Sequence, residues 1–213
     1  MGSGRIKLAG IAAAGAIGLP LGLAPSALGA GFNCAHRVDN FNRHNSSTLG
    51  SAWTEQAFDI GIQAHRAFNA NSDFALATLN GVKSNSACVD VYAHGSRVDY
   101  VAIDLGYKDL SNNIFIKVQD NNSSGDFDTA FAYRGNNSFS PLVTHDIKHL
   151  TPFTKAEIYV TWKGSAVKLE ISTKFNQKAQ QTYVFRNVQT AGLGKKVGLG
   201  IFNGASADNF AIP

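Results

Sequence analysis

Residues 100–120, YVAIDLGYKDLSNNIFIKVQD, decide the fold. Val101, Ile103 and Leu105 alternate with Ala102, Asp104 and Gly106, and after the polar stretch KDLSNN (108–113) Ile114, Ile116 and Val118 alternate with Phe115, Lys117 and Gln119. Successive side chains of a strand point to opposite faces, so an apolar residue at every second position marks a strand with one dry face. Asn and Ser between two such runs are turn residues. The same period continues outward. Val89, Val91 and Ala93 alternate with Asp90, Tyr92 and His94; Ile158, Val160 and Trp162 with Tyr159 and Thr161; Val167, Leu169 and Ile171 with Lys168, Glu170 and Ser172. DNNSSGD (120–126), GNNS (135–138) and KGS (163–165) supply further turns. Strands at this spacing predict an all-β sandwich or barrel. Residues 140–154, bounded by Pro141 and Pro152, read as a loop with one short turn, and residues 78–86 read as another loop.

The first thirty residues differ in kind. Arg5 and Lys7 precede an uncharged apolar run over 8–24, and 25–30 end in small residues. That is the pattern of a cleaved secretory signal, leaving a single domain over 31–213 and no later stretch able to span a membrane. The expected localisation is secreted: extracellular, periplasmic or at the cell surface. The formal charge of +4 falls on cleavage, because 19 basic residues less Arg5 and Lys7 leave 17 against 15 acidic ones. A nucleic-acid partner calls for a concentrated basic patch, and Lys195–Lys196 is the one adjacent basic pair. The two cysteines, Cys34 and Cys88, both follow the signal, so an oxidising compartment predicts a disulfide. Closing a loop of this length contributes about 4 kcal/mol in the chain-entropy account.

Asp39, Asn40 and Phe41 recur as Asp208, Asn209 and Phe210. This echo suits a fold whose first and last strands lie side by side.

Three segments together carry a resemblance: DNFNRHNSSTLGSAWT (39–54), YVAIDLGYKDLSNNIFIKVQDNNSSGDFDTAFAY (100–133) and VGLGIFNGASADNFAI (197–212). They resemble secreted bacterial domains of the concanavalin A-like lectin/glucanase superfamily, the laminin G-like jelly rolls. The resemblance implies a jelly-roll sandwich of two antiparallel sheets of roughly six or seven strands each, the concave one often being a glycan surface. Lectins, carbohydrate-binding modules, adhesion domains and endoglycanases share this fold, so it does not by itself assign an activity.

Glycoside hydrolysis needs two carboxyl groups across the scissile bond, and glucanases of this superfamily carry them as E-x-D-x-E on one strand. The three glutamates, Glu55, Glu157 and Glu170, lie in no such motif. Asp90 and Asp104 are the carboxylates that could converge from separate strands, and no serine elbow of the G-x-S-x-G type occurs. His145 and His149 would share a face only on a helix, and their flanking prolines point to a loop instead.

For a metal, residues 120–128 offer Asp120, Asn122, Ser124, Asp126 and Asp128 at alternate positions around a turn glycine. This is half of a calcium loop without its closing glutamate, and equally an ordinary polar hairpin turn. For a ligand, Tyr92, Tyr100, Asp104, Phe115, Lys117 and Gln119 project off the apolar faces, with Arg134 from a further strand, as a mixed aromatic and polar surface. Trp162 shares the parity of core residues, and Trp53 sits in a segment that reads as structural. The sequence therefore leads to a non-catalytic secreted domain that binds a polysaccharide or other glycan through the open face or edge loops of one sheet. The alternatives are a structural or adhesive module with a protein partner, stabilised by calcium, and a glycan hydrolase with an atypical site.

Overall fold

The computed structural model describes residues 34, 36–69, 71–95, 97–135, 139–147, 154–173 and 179–213. The expected signal over 1–30 and His149 lie outside them. The strands, in chain order, are β1 (Arg37–Asp39), β2 (Trp53–Ala57), β3 (Gly61–Gln63), β4 (Arg66–Phe68), β5 (Phe74–Leu79), β6 (Ser86–Tyr92), β7 (Asp99–Asp109) and β8 (Asn112–Asp120). They continue with β9 (Thr129–Gly135), β10 (Phe139–Asp146), β11 (Lys155–Lys163), β12 (Ala166–Ser172), β13 (Gln181–Phe185), β14 (Lys196–Phe202) and β15 (Ser206–Ala211). Among the described residues there is no helix.

Two antiparallel sheets result. A seven-stranded one runs β10-β9-β8-β7-β14-β5-β2, and an eight-stranded one runs β13-β12-β11-β6-β15-β4-β3 with β1 added on β15. The alternation seen in the sequence becomes the core between them. Ile103, Leu105, Ile114, Ile116 and Val118 from one sheet and Val89, Val91, Ile158, Val160, Leu169 and Ile171 from the other are all fully buried. Their opposite-parity neighbours therefore point off the two outer faces of the sandwich.

The segment expected to be a loop at 140–154 is instead strand in its first half, for β10 pairs with β9 along its length. It lies at the sheet's edge and its register shifts between Pro141 and Val143. An edge strand with a bulge is where a residue without an N–H can be tolerated. β5 carried no readable alternation because its residues 75–79 are buried on both sides.

The echo of the tripeptides has a structural counterpart. β1 pairs with β15, Asp39 opposite Phe210. Trp53 packs edge-on against Phe210, ring centres 5.1 Å apart, and 6.0 Å from Phe41. Its indole N–H donates to Asp39 Oδ2 at 2.8 Å, and the same carboxylate takes Arg43 Nη1 at 2.6 Å. Trp53 is thus a structural anchor joining the chain ends. The Cys34–Cys88 disulfide, spanning 54 positions, ties the N-terminal segment to β6.

Trp162 departs from its expected place. It is only half-buried, packed on the rim of the core, with Nε1 donating to the Gly164 carbonyl at 2.7 Å. It stands beside the β11–β12 turn, next to the final pair Lys163–Ala166, with its ring against Gly106 of β7.

Candidate functional site: the outer face of the seven-stranded sheet

Register brings outward side chains from five strands into rows. Lys117 stands between Ala102 of β7 and Phe131 of β9; Phe115 stands between Asp104 and Tyr133; Gln119 stands between Tyr100 and Thr129. On the far side of β7, Phe202, Gly200 and Gly198 of β14 face Tyr100, Ala102 and Asp104, with Phe74 of β5 next to Phe202. Phe74, Tyr100, Phe115, Phe131, Tyr133 and Phe202 consequently touch one another as a continuous aromatic platform. Tyr100 stacks on Phe202 at 4.9 Å, Phe74 meets Phe115 edge-on at 5.0 Å, and Phe131 stacks on Tyr133 at 5.8 Å. Edge-on and offset contacts at these distances are the favoured geometry of aromatic pairs.

Gly200 makes the platform possible. A Cβ there would lie 2.7 Å from Phe115 Cε2 and 2.9 Å from Phe74 Cε2, so any side chain would drive those two rings apart.

Lys117 sits within this platform. Its ammonium lies 4.0 Å from the ring centre of Tyr100, 4.8 Å from Phe131 and 5.3 Å from Tyr133, and it donates to the Gln119 side-chain oxygen. Such placements are cation–π contacts. Burial pushes its pKa down to about 8. Phe74, Tyr100, Phe115, Lys117 and Tyr133 line a pocket of about 280 Å³. At one end of the face Asp104 is fully buried, and neither carboxyl oxygen has a hydrogen-bond partner. Burial holds its pKa well above the usual carboxylate range, because the ionised form is disfavoured away from water. Beside it Tyr107 Oη donates to Gln56 Oε1 at 2.9 Å, and Gln56 Nε2 donates to Thr78 Oγ1 at 2.9 Å.

Of the seven residues read as a ligand surface, five share this face: Tyr100, Asp104, Phe115, Lys117 and Gln119. Tyr92 lies on β6 in the other sheet, its ring 3.6 Å from the Arg66 guanidinium carbon. Arg134 has core-side parity at the end of β9. Its guanidinium donates to the carbonyls of Gln189 and Ala191, both at 2.9 Å, and to those of Asn113 and Gly135, clamping the connection between β13 and β14. Phe74, Phe131, Tyr133 and Phe202 were not singled out from the sequence. Phe131 and Tyr133 alternate with buried Ala130 and Ala132, and that parity was the available signal.

Asp90 and Asp104 do not converge. Asp90 lies between core residues Val89 and Val91 and faces outward from the eight-stranded sheet, whereas Asp104 faces outward from the seven-stranded one. The whole sandwich separates them. Asp90 stands opposite Glu157 and Asp208 and accepts Asn209 Nδ2 at 2.7 Å. Burial raises it to about 6, against the lowering effect of that hydrogen bond.

In the 120–128 loop, Asp120 accepts the backbone N–H groups of Asn122 at 3.2 Å, Ser124 at 3.1 Å and Gly125 at 2.6 Å. Asn122 Oδ1 accepts the Ser124 N–H at 2.9 Å, Ser124 Oγ that of Asp126 at 3.3 Å, and Asp128 that of Asn121 at 3.2 Å. These oxygens are directed at the loop's own amides. Among the described residues no group of three or more His, Cys, Asp or Glu is placed to hold a metal ion. His145 is on a strand, 5.0 Å from Tyr183 in a stacked pair.

No family model matches the sequence, and no curated protein is similar to it. Among solved structures the chain is similar to the carbohydrate-binding module CBM66 from Bacillus subtilis, with TM-score 0.58 and 10% identity over 78% of this chain and 98% of that one. It is also similar to the exoplasmic/lumenal domain of VIP36 in its metal-free form, with TM-score 0.53 and 9% identity over 84% and 90% of the two chains. A third is a prokaryotic β-1,3-1,4-glucanase (lichenase) derived from a mouse hindgut metagenome, with TM-score 0.51 and 8% identity over 81% and 95%. The fold is therefore that of the concanavalin A-like jelly-roll sandwiches, as the sequence resemblance implied.

Proposed function

We infer that this is an exported, non-catalytic domain that binds carbohydrate on the outer face of the seven-stranded sheet. One observation carries the reading: half-buried rings of Phe74, Tyr100, Phe131, Tyr133 and Phe202 form one platform around a pocket of about 280 Å³ beside the Lys117 and Gln119 polar tips. A sugar ring has an apolar face of C–H groups and a rim of hydroxyls, so it pairs with an aromatic plane flanked by polar groups. A contiguous, partly exposed apolar patch on a sheet face marks a binding surface.

The fold neighbours support the same reading, since carbohydrate-binding modules are among them. The disulfide favours an oxidising compartment, and no helix among the described residues is long and apolar enough to cross a membrane. Asp104 is fully buried, and Asp146, which shares this face, stands three strands away on the edge strand β10, so the two do not make the close carboxyl pair that glycosidic hydrolysis requires.

Affinity electrophoresis through gels containing soluble polysaccharides tests the reading. The wild-type protein is retarded by at least one polymer, and Tyr133→Ala migrates freely in the same gel. Free migration of the wild type through plant, algal, bacterial and host polysaccharides would leave the platform without a sugar ligand and favour a protein partner.

A further inference from the structure

Resting on the carbohydrate reading, we propose that the platform selects acidic glycans built from uronic acids, with Lys117 as the residue that recognises the sugar carboxylate. Lys117 is 9% exposed, and no carboxylate among the described residues forms an ion pair with it. Arg43–Asp39 and Lys168–Glu170, which do form ion pairs, are not on this face. A buried charge is normally paired. Here the ammonium has one neutral hydrogen-bond acceptor, Gln119, while its remaining contacts are the ring faces of Tyr100, Phe131 and Tyr133. Rings tolerate a cation by their quadrupole but do not neutralise it.

The groups facing Lys117 leave its charge standing. From β7 these are Tyr100 and Asp104, whose ionised forms burial disfavours, and from β9 Tyr133, whose pKa is likewise raised by burial, while Asp146 stands exposed on the edge strand β10, opposite Thr129 rather than Phe131. β14 and β5 bring Gly198, Gly200, Phe202, Phe74 and Thr78, which carry no charge. At neutral pH the face is thus an aromatic surface with a single desolvated positive charge at its centre.

That combination defines the ligand. The rings ask for a flat apolar face, and the ammonium asks for one anion at its rim. A uronic acid supplies both, because its carboxylate is attached directly to the pyranose ring and lies at the edge of the face that stacks. The pocket of about 280 Å³ admits a single ring, being below the roughly 300–1,000 Å³ of drug-sized sites. Among the described residues no arginine fork joins Lys117 on this face, so they do not supply the bidentate geometry that favours phosphate and sulfate. In the complex, Lys117 Nζ–H donates to the carboxylate while the sugar stacks over Tyr100 and Tyr133.

Isothermal titration calorimetry with the purified protein tests this. The probes are oligomers of galacturonate, mannuronate and glucuronate, the methyl-esterified galacturonate oligomers, the corresponding neutral oligosaccharides, and a sulfated galactan. The structure predicts affinity for a uronate oligomer that drops roughly ten- to hundredfold on esterification and by a similar factor in Lys117→Met, as for loss of a charged hydrogen bond. A second readout needs no variant. Uronate affinity of the wild type falls as pH rises from 7 to 9 through the Lys117 pKa of about 8, because only the protonated amine pairs with the carboxylate. Equal affinity for free and esterified oligomers, a pH-independent uronate affinity, or a preference for neutral or sulfated chains would overturn the acidic selectivity while leaving carbohydrate binding intact. Absence of binding to every glycan would overturn both.

Discussion

The ammonium of Lys117 lies 4.0 Å from the ring centre of Tyr100. The cation is held there with burial pressing its pKa down to about 8, and the ring is the closest of three opposing that pressure. A cation–π contact at a desolvated position is worth about 1–2 kcal/mol, so it keeps the amine more basic than burial alone would. Tyr100→Leu preserves the apolar surroundings and removes the quadrupole. The Lys117 pKa then falls further below 8, as read by NMR titration of its Cε signal. A rise in that variant would mean that exposure to water, not ring contact, governs the group.

Asp104 gives the protein a pH dependence opposite in sign to that of a salt-bridged carboxylate. Its folded-state pKa is raised, so between the unfolded value near 4 and the folded value the native state binds more protons than the unfolded one. Stability attributable to this group therefore falls as pH rises above about 4. Asp99 and Glu55, each pushed up to about 7 by burial, act in the same direction. Asp104→Asn is expected to match the wild type in Tm near pH 4.5 and to exceed it at pH 8. A gap that narrows or reverses with rising pH would show that the carboxylate is paired when ionised.

Arg134 is assigned to the frame rather than the ligand surface. Its guanidinium satisfies the carbonyls of Gln189 and Ala191 across the β13–β14 connection. Arg134→Ala removes charged donors from these carbonyls, at about 1.5–3 kcal/mol for such bonds, and lowers the urea midpoint accordingly. Glycan affinity, measured below the new unfolding transition, stays unchanged. A loss of affinity without a loss of stability would return Arg134 to the site.

Much of the frame was legible because the alternation over 100–120 is a direct consequence of one dry face, and the paired strands β7 and β8 lie where that pattern ends and resumes. Parity also placed Tyr100, Asp104, Phe115, Lys117 and Gln119 on one surface. Parity says nothing about which sheet a strand joins, and this is why Tyr92 and Asp90, correctly read as outward, belong to the opposite face of the sandwich. Gly198 and Gly200 were silent for a related reason. Their role is to leave room, and it exists only once the sheet is assembled: Phe74 and Phe115, 41 positions apart in the chain, meet above Gly200, while Ala77, Thr78 and Asp104 close around Gly198. β10 was hidden because a proline reads as a stop unless the strand is known to be an edge.

The Asp120 carboxylate caps three amides of its own loop, and this arrangement stabilises the turn without a cation. The thermal midpoint is expected to be the same in calcium and in chelator, whereas Asp120→Ala costs about 2 kcal/mol or more through three lost charged hydrogen bonds. A midpoint lowered by chelator would mean that the loop reopens to present these oxygens to calcium.

The central claim is that sugars bind on the aromatic platform of the seven-stranded sheet. A glycan array probed side by side with the wild type and with Phe131→Ala/Tyr133→Ala tests it most directly, because both rings are half-buried on the outer face and contribute nothing to the core. The wild type is expected to give signal on a coherent set of glycans that disappears in the variant, with the thermal midpoint little changed. Wild-type signal that persists undiminished in the variant, or none on any glycan, would contradict it.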